Sequence, residues 1–205
     1  MNAVTLHNVF KSYGSLPVLE NLSLTFPSGS ICCLMSPSGT GKTTLFRLLM
    51  GLEQPDKGTI SFEMPGRSPR FSAVFQEDRL CEGFSPVENV KLAAGRTLSA
   101  EDIRRELALL LPEEALSRPV FTLSGGMKRR TAICRAMAAE SDIVIMDEPF
   151  TGLDEATKRQ AVEYIKSRQH GRLLLISTHQ EENVKLLGGV RVDLPNINNQ
   201  KSNTL

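Results

Sequence analysis

Ser36-Pro37-Ser38-Gly39-Thr40-Gly41-Lys42-Thr43 is a stretch whose residue types suit one task, the holding of a row of phosphate groups. Gly39 and Gly41 allow left-handed backbone and close approach to a ligand. Lys42 supplies a mobile cation for the outer phosphates, and Thr43 a hydroxyl suited to a hard cation such as Mg2+. Such a loop works when it lies between a strand and a helix, because its N–H groups then share one concavity and the helix N-terminus adds partial positive charge. The flanks meet that condition. Ile31-Cys32-Cys33-Leu34-Met35 reads as a buried strand, and Thr44 to Met50 spaces its apolar residues along one helical face.

The stretch follows the P-loop pattern G-x-x-x-x-G-K-[ST] except at its first position, where Ser36 replaces glycine. Either that position accepts a small side chain at negative φ, or the loop is strained and binds more weakly. Retention of Gly39, Gly41, Lys42 and Thr43 favours acceptance. Nucleotide contact is therefore expected from Ser36, Pro37, Ser38, Gly39, Thr40, Gly41, Lys42, Thr43 and Thr44. A second stretch, Ile143-Val144-Ile145-Met146-Asp147-Glu148, is an apolar strand ending in two carboxylates. A strand buried on both faces has one useful end, where its last side chains emerge beside the phosphates. Asp147 is expected to organise Mg2+ with Thr43, and Glu148 to polarise the water that attacks a γ-phosphate. Two acids merely capping a strand would need no phosphate loop upstream.

These groups must be positioned by a scaffold, and the chain is long enough for one. Its 205 residues bury a core within a single domain, expected over 1–195. A net charge of +1 does not suggest a large basic face for nucleic acid. Apolar runs fall far short of the ~18 residues that a membrane span needs, and no secretory leader is expected from the pattern of the first residues. Four cysteines without a C-x-x-C pair point to a reducing compartment. Cys32 and Cys33 are expected to be buried and structural.

In chain order, Val4 to Phe10 and Val18 to Phe26 read as strands, the second placing Val18, Leu22, Leu24 and Phe26 on one face. A turn at Tyr13-Gly14-Ser15 joins them. Gly58 to Phe62 and Phe71 to Phe75 give further strands with a loop from Glu63 to Arg70. From Pro86 to about Leu111 the pattern is helical, within an insertion expected over about 77–123. A helix then runs from Ser124-Gly125-Gly126 to about Ala139. Strand Ile143 to Met146, helix Glu155 to Arg168, strand Leu173 to Ile176 and helix Glu181 to Leu187 complete the pattern. Residues 196–205 are polar and patternless and are expected to form a mobile tail. The fold class is α/β: a phosphate-loop core with a mixed or parallel sheet flanked by helices, an antiparallel β region and a small helical insertion.

Five further stretches resemble the ATP-binding cassette (ABC) ATPases. Leu123-Ser124-Gly125-Gly126-Met127 resembles their signature motif, Phe75-Gln76-Glu77 their Q-loop and Thr151-Gly152-Leu153-Asp154 their D-loop. Ser177-Thr178-His179 resembles the switch histidine, and Tyr13 the aromatic that stacks on adenine. Order and spacing match from about Val4 to Leu194. Gly-Gly-Met, Val74 to Leu80 and Met146 to Asp154 also resemble the nitrate, sulfonate and taurine importers of that family.

The resemblance implies ATP and Mg2+ as ligands and a head-to-tail dimer in which Ser124, Gly125 and Gly126 of one subunit close on nucleotide held by Lys42 of the other. The physical basis is a second helix N-terminus, which is a second anion site. Asp154 would lie across that interface. His179 would contact the γ-phosphate, and Gln76 would bind Mg2+ and report nucleotide state to the insertion. Glu148, His179, Lys42 and Gln76 are thus the catalytic candidates, and His7 and His170 are left structural. The implied partners are a second copy of the chain, transmembrane permease subunits docking at Leu80 to Phe84, and an extracytoplasmic solute-binding protein, with no nucleic acid. The implied location is the cytoplasmic face of a membrane. An exporter subunit, or a soluble ABC ATPase acting on a macromolecule, are the alternatives.

Overall fold

Residues 3–195 are described by a computed structural model, except Ser38 and Pro65. The expected tail at 196–205, and Ser38 among the expected phosphate contacts, lie outside the described residues. Strands β1 (Ala3–Tyr13), β2 (Leu16–Pro27) and β4 (Lys57–Phe62) form an antiparallel sheet in the order β2-β1-β4. The second sheet has the order β5-β6-β7-β3-β8, from β3 (Ile31–Met35), β5 (Phe71–Val74), β6 (Ile143–Asp147), β7 (Leu173–Ser177) and β8 (Val190–Asp193), and its pairs are parallel.

The central strands β6 and β7 are buried along their whole length, so side chains alternate between two apolar layers rather than between core and solvent. Ile143, Ile145, Leu173, Leu175, Cys32 and Leu34 face the layer that also holds Leu45, Phe46, Leu48 and Leu49 of helix α1 (Lys42–Leu49) and Val4, Leu6 and Phe26 of the antiparallel sheet. Val144, Met146, Leu174, Ile176 and Cys33 face the other layer, with α4 (Gly125–Ala138) and α5 (Glu155–Ser167). The parallel sheet is thus sandwiched, and the ends of β3, β6 and β7 open on one side. Burial pushes the Cys33 thiol up to about 12, in keeping with an inert structural cysteine.

Four sequence expectations need correction. β2 does not keep one face: Leu19 and Leu22 are buried while Val18 and Leu24 are only partly so. Val9 opposes Leu22 and Lys11 opposes Leu19, so β2 carries an extra residue there. Asn21, at φ 52, is in the bulge and its Oδ1 accepts from Asn8 Nδ2 at 2.6 Å. The helical stretch from Pro86 is two helices, α2 (Pro86–Ala94) and α3 (Ala100–Ala108), divided after Gly95. Each starts with its own capping box, Ser85 with Glu88 and Ser99 with Asp102. The stretch from Pro112 to Leu123 contains short 3-10 turns at Glu113–Ala115 and Val120–Thr122. After α6 (Glu181–Leu187), β8 was missed because four residues with Val190 and Arg191 exposed carry no readable alternation.

At Gly58 (φ +85) an added Cβ would lie 2.2 Å from Asn8 O, where β4 crosses the β1 irregularity. Gly58→Ala is expected to lower stability by more than about 2 kcal/mol in urea unfolding, and a loss within ~0.5 kcal/mol would refute this packing.

Candidate active site

The phosphate-type loop leaves β3 and enters α1 through Gly41, the helix N-cap, at φ 92. Glycine is required there twice over, by the left-handed conformation and by crowding: a Cβ would approach Leu19 Cδ2 to 2.8 Å and Val18 O to 3.1 Å. Gly41 provides no side chain to cap α1, so the first-turn N–H groups are left for another acceptor. Thr40 Oγ1 donates to Pro37 O at 2.9 Å and braces the loop internally. Lys42 Nζ donates to Pro37 O at 3.1 Å and also to Ser36 O. Ser36 has no positive φ, so the serine is accommodated without backbone strain.

A cavity of about 300 Å³ lies over the loop, lined by Val18, Gly39, Gly41, Lys42, Thr43, Thr44, Gln76, Asp147 and Glu148. Thr43, Gln76 and Asp147 are thereby brought together although they are far apart in sequence. Thr43 Oγ1 donates to Asp147 Oδ2 at 2.7 Å, and Ser177 Oγ donates to Asp147 Oδ1 at 2.6 Å. A buried carboxylate held this way pairs with two hydroxyls instead of a cation. Hard oxygen donors of this kind fit Mg2+ completed by water and substrate oxygens. Glu148 follows at φ 49, an uncommon conformation for a side-chain residue. Its N–H donates to Ser177 Oγ at 2.8 Å, and His179 Nδ1 lies 3.1 Å from Glu148 Oε2. The Glu148 carboxylate, which lines the cavity, therefore meets the His179 ring, which does not line it.

The second expected anion-binding end lies elsewhere. Ser124 caps α4 by accepting from the Met127 N–H at 3.3 Å, but neither it nor Gly125 nor Gly126 lines the cavity over Lys42. A Cβ on Gly126 would come within 3.4 Å of Leu153 Cδ2, which places this end beside Thr151-Gly152-Leu153-Asp154. Asp154 is the N-cap of α5, accepting from the Thr157 N–H at 2.9 Å, and that bond holds its carboxyl below the usual range. Tyr13 is exposed at the end of β1, also away from the cavity lining, and its hydroxyl donates to Glu53.

Sequence reasoning missed the groups that hold this arrangement. Ser177 was read only as part of a histidine motif, yet it bridges Asp147 and the Glu148 backbone; its place after an apolar strand was the available signal. Arg129 carries no signal in the sequence, but its buried guanidinium donates to Phe75 O at 2.7 Å and to Gln76 O at 2.6 Å. It also lies 3.2 Å from Asp78 Oδ1, and burial pushes that carboxyl up against the pull of Arg129, Lys128 and Arg135. Arg135 donates to Asp78 O and Arg79 O. The helix that starts at Ser124 is thus tied directly to the backbone around Gln76.

Residues 19–151 match the ABC transporter family model. The chain is 37% identical over 196 residues to a sulfate/thiosulfate import ATP-binding protein of Rhizobium meliloti, covering 87% of this chain and 53% of that protein. It is 36% identical over 195 residues to an aliphatic sulfonates import ATP-binding protein of Rhodococcus jostii, covering 93% and 70%. A Nod factor export ATP-binding protein of Cupriavidus metallidurans is 37% identical over 196 residues, covering 89% and 64%. The chain thus spans about half to seven-tenths of the length of these relatives. Among solved structures, the dimeric ATP-binding cassette MJ0796 in a post-hydrolysis state, bound to ADP and Pi, superimposes with a TM-score of 0.81 at 25% identity over 94% of each chain.

Ser177→Ala removes one partner from the Asp147 carboxylate and one from the Glu148 N–H. A loss of about 1 to 3 kcal/mol is expected in urea unfolding, and no measurable loss would show that these bonds do not organise the site.

Proposed function

Because this chain belongs to the ABC transporter family, we propose that it is the ATP-hydrolysing subunit of a membrane importer, working as a dimer of identical chains. One observation carries the dimer: the α4 end at Ser124 does not line the cavity that holds Lys42, Thr43, Asp147 and Glu148. Two anion sites on one chain that cannot grip the same phosphates are explained if each completes the site of a partner related by two-fold symmetry. In this reading Lys42 and the α1 N-terminus bind the phosphate chain, Tyr13 stacks on the base, and Ser124 of the partner subunit closes the site. Mg2+, held by Thr43 and Asp147 with Gln76 alongside, would oppose the negative charge that develops on the phosphoryl oxygens. Glu148 orients the attacking water and takes up its proton, and His179 fixes the Glu148 carboxylate through their 3.1 Å contact.

The coupled process is import of a small organic or anionic solute through separate permease subunits, with an extracytoplasmic solute-binding protein upstream. Likeness to sulfate and sulfonate import proteins supports the direction; equal likeness to an export protein supports the exporter alternative. Uptake of candidate solutes by cells with and without the gene separates the two. Among the described residues no helix is long and apolar enough to cross a membrane, which fits a peripheral subunit held at the cytoplasmic face by its permease. The docking surface is centred on Phe84 and Phe121, both exposed and held together because Val120 and Phe121 donate to Phe84 O and Glu82 O. Leu80, expected on that surface, packs partly into the core instead.

Two outcomes test the reading. Glu148→Gln is expected to cut hydrolysis at least ~100-fold and to give a dimer in size-exclusion chromatography with Mg-ATP; retained hydrolysis, or a monomer, would refute the assigned role. Replacing Phe84 and Phe121 together by Ser is expected to abolish recruitment to membranes carrying the permease while ATP affinity is kept, and normal recruitment would rule out that surface.

A further inference from the structure

The register between β3 and β8 ends where Met35 faces Asp193. One residue later β3 becomes the phosphate loop, while β8 runs on to Leu194, whose side chain is buried. The Leu194 N–H donates to Ser36 Oγ at 2.9 Å, and the same hydroxyl donates to Met35 O. A side chain thus adds one more rung to a backbone ladder that has already ended. Glycine at this position would leave the Leu194 N–H without that acceptor. Ser36 O also accepts from Lys42 Nζ. One residue therefore joins the edge strand, the last residue of β3 and the cation of the loop.

We infer that Ser36 is a positioning residue for nucleotide binding: its hydroxyl anchors the root of the phosphate loop to β8 and so fixes the carbonyl that holds the Lys42 ammonium in place. The departure from glycine is a gain of fixation, and restoring glycine weakens binding. This rests on the nucleotide-binding reading above. An anchored loop root is already ordered when phosphate arrives, so loss of the anchor adds an ordering cost to binding and acts on affinity more than on the chemical step.

The test compares full-length wild type with Ser36→Gly, Ser36→Ala and Ser36→Thr, at a temperature where far-UV circular dichroism shows all four folded. A fluorescent ATP analogue reports Kd, and steady-state hydrolysis reports KM and kcat separately. Ser36→Gly and Ser36→Ala are expected to weaken binding about threefold to tenfold, the range of one lost hydrogen bond, with the effect in KM and kcat within about twofold. Ser36→Thr keeps the hydroxyl, and Ser36 borders an open cavity, so it is expected to bind as wild type does. Binding by Ser36→Gly as tight as wild type or tighter would overturn the inference, as would Ser36→Thr binding as weakly as Ser36→Gly. A wild-type chain that does not bind the analogue would overturn the nucleotide reading instead, so the two failures are distinct.

Discussion

The Asp147 carboxylate sits buried between two hydroxyls, Thr43 Oγ1 at 2.7 Å and Ser177 Oγ at 2.6 Å, and the rest of the structure serves to keep those three groups in register. Thr43 belongs to α1, Asp147 to the end of β6 and Ser177 to the end of β7. A buried charge tolerates this setting only if its partners are fixed, because each lost hydrogen bond exposes the full desolvation penalty. Parallel strands buried on both faces provide that rigidity, since their registers are set by two apolar layers at once. The bracing continues to Glu148, whose N–H shares the Ser177 hydroxyl. The residue proposed to activate water is therefore fixed by the same serine as the residue proposed to organise the cation.

A second physical link runs away from this centre. α4 begins at Ser124, and its Arg129 and Arg135 hold the carbonyls of Phe75, Gln76, Asp78 and Arg79. These bonds connect α4 with Gln76 in the cavity and with the segment leading to Phe84. The buried Arg129 guanidinium makes a stiffer connection than a flexible loop would, since each contact it loses strands a polar group. In the proposed transporter this connects the dimer interface with the docking surface.

Much of this was legible in the residues. Gly39, Gly41, Lys42 and Thr43 between an apolar strand and a helix announced the cavity, and β6 and β7 were visible as unbroken apolar runs that end in Asp147-Glu148 and Ser177-Thr178-His179. What escaped notice depends on pairing across distant segments. The β2 bulge at Asn21 reverses an alternation that strand periodicity assumes to be continuous, and β8 is too short and exposed to show one. Ser177 and Arg129 have ordinary residue types, and only the folded chain shows that one bridges two carboxylate residues and the other is buried. Ser36 stands in the sequence only as an accepted departure from a pattern, because its partner, the Leu194 backbone, lies at the other end of the chain.

The central claim is that one chain holds two halves of different sites, so that hydrolysis belongs to the pair. The most direct measurement is the specific ATPase rate of the wild-type chain with Mg2+ as a function of chain concentration, across the range in which sedimentation shows monomer giving way to dimer. The account predicts a rate per chain that rises with concentration and levels off as dimer saturates. A rate per chain that stays constant throughout the monomeric range would contradict it.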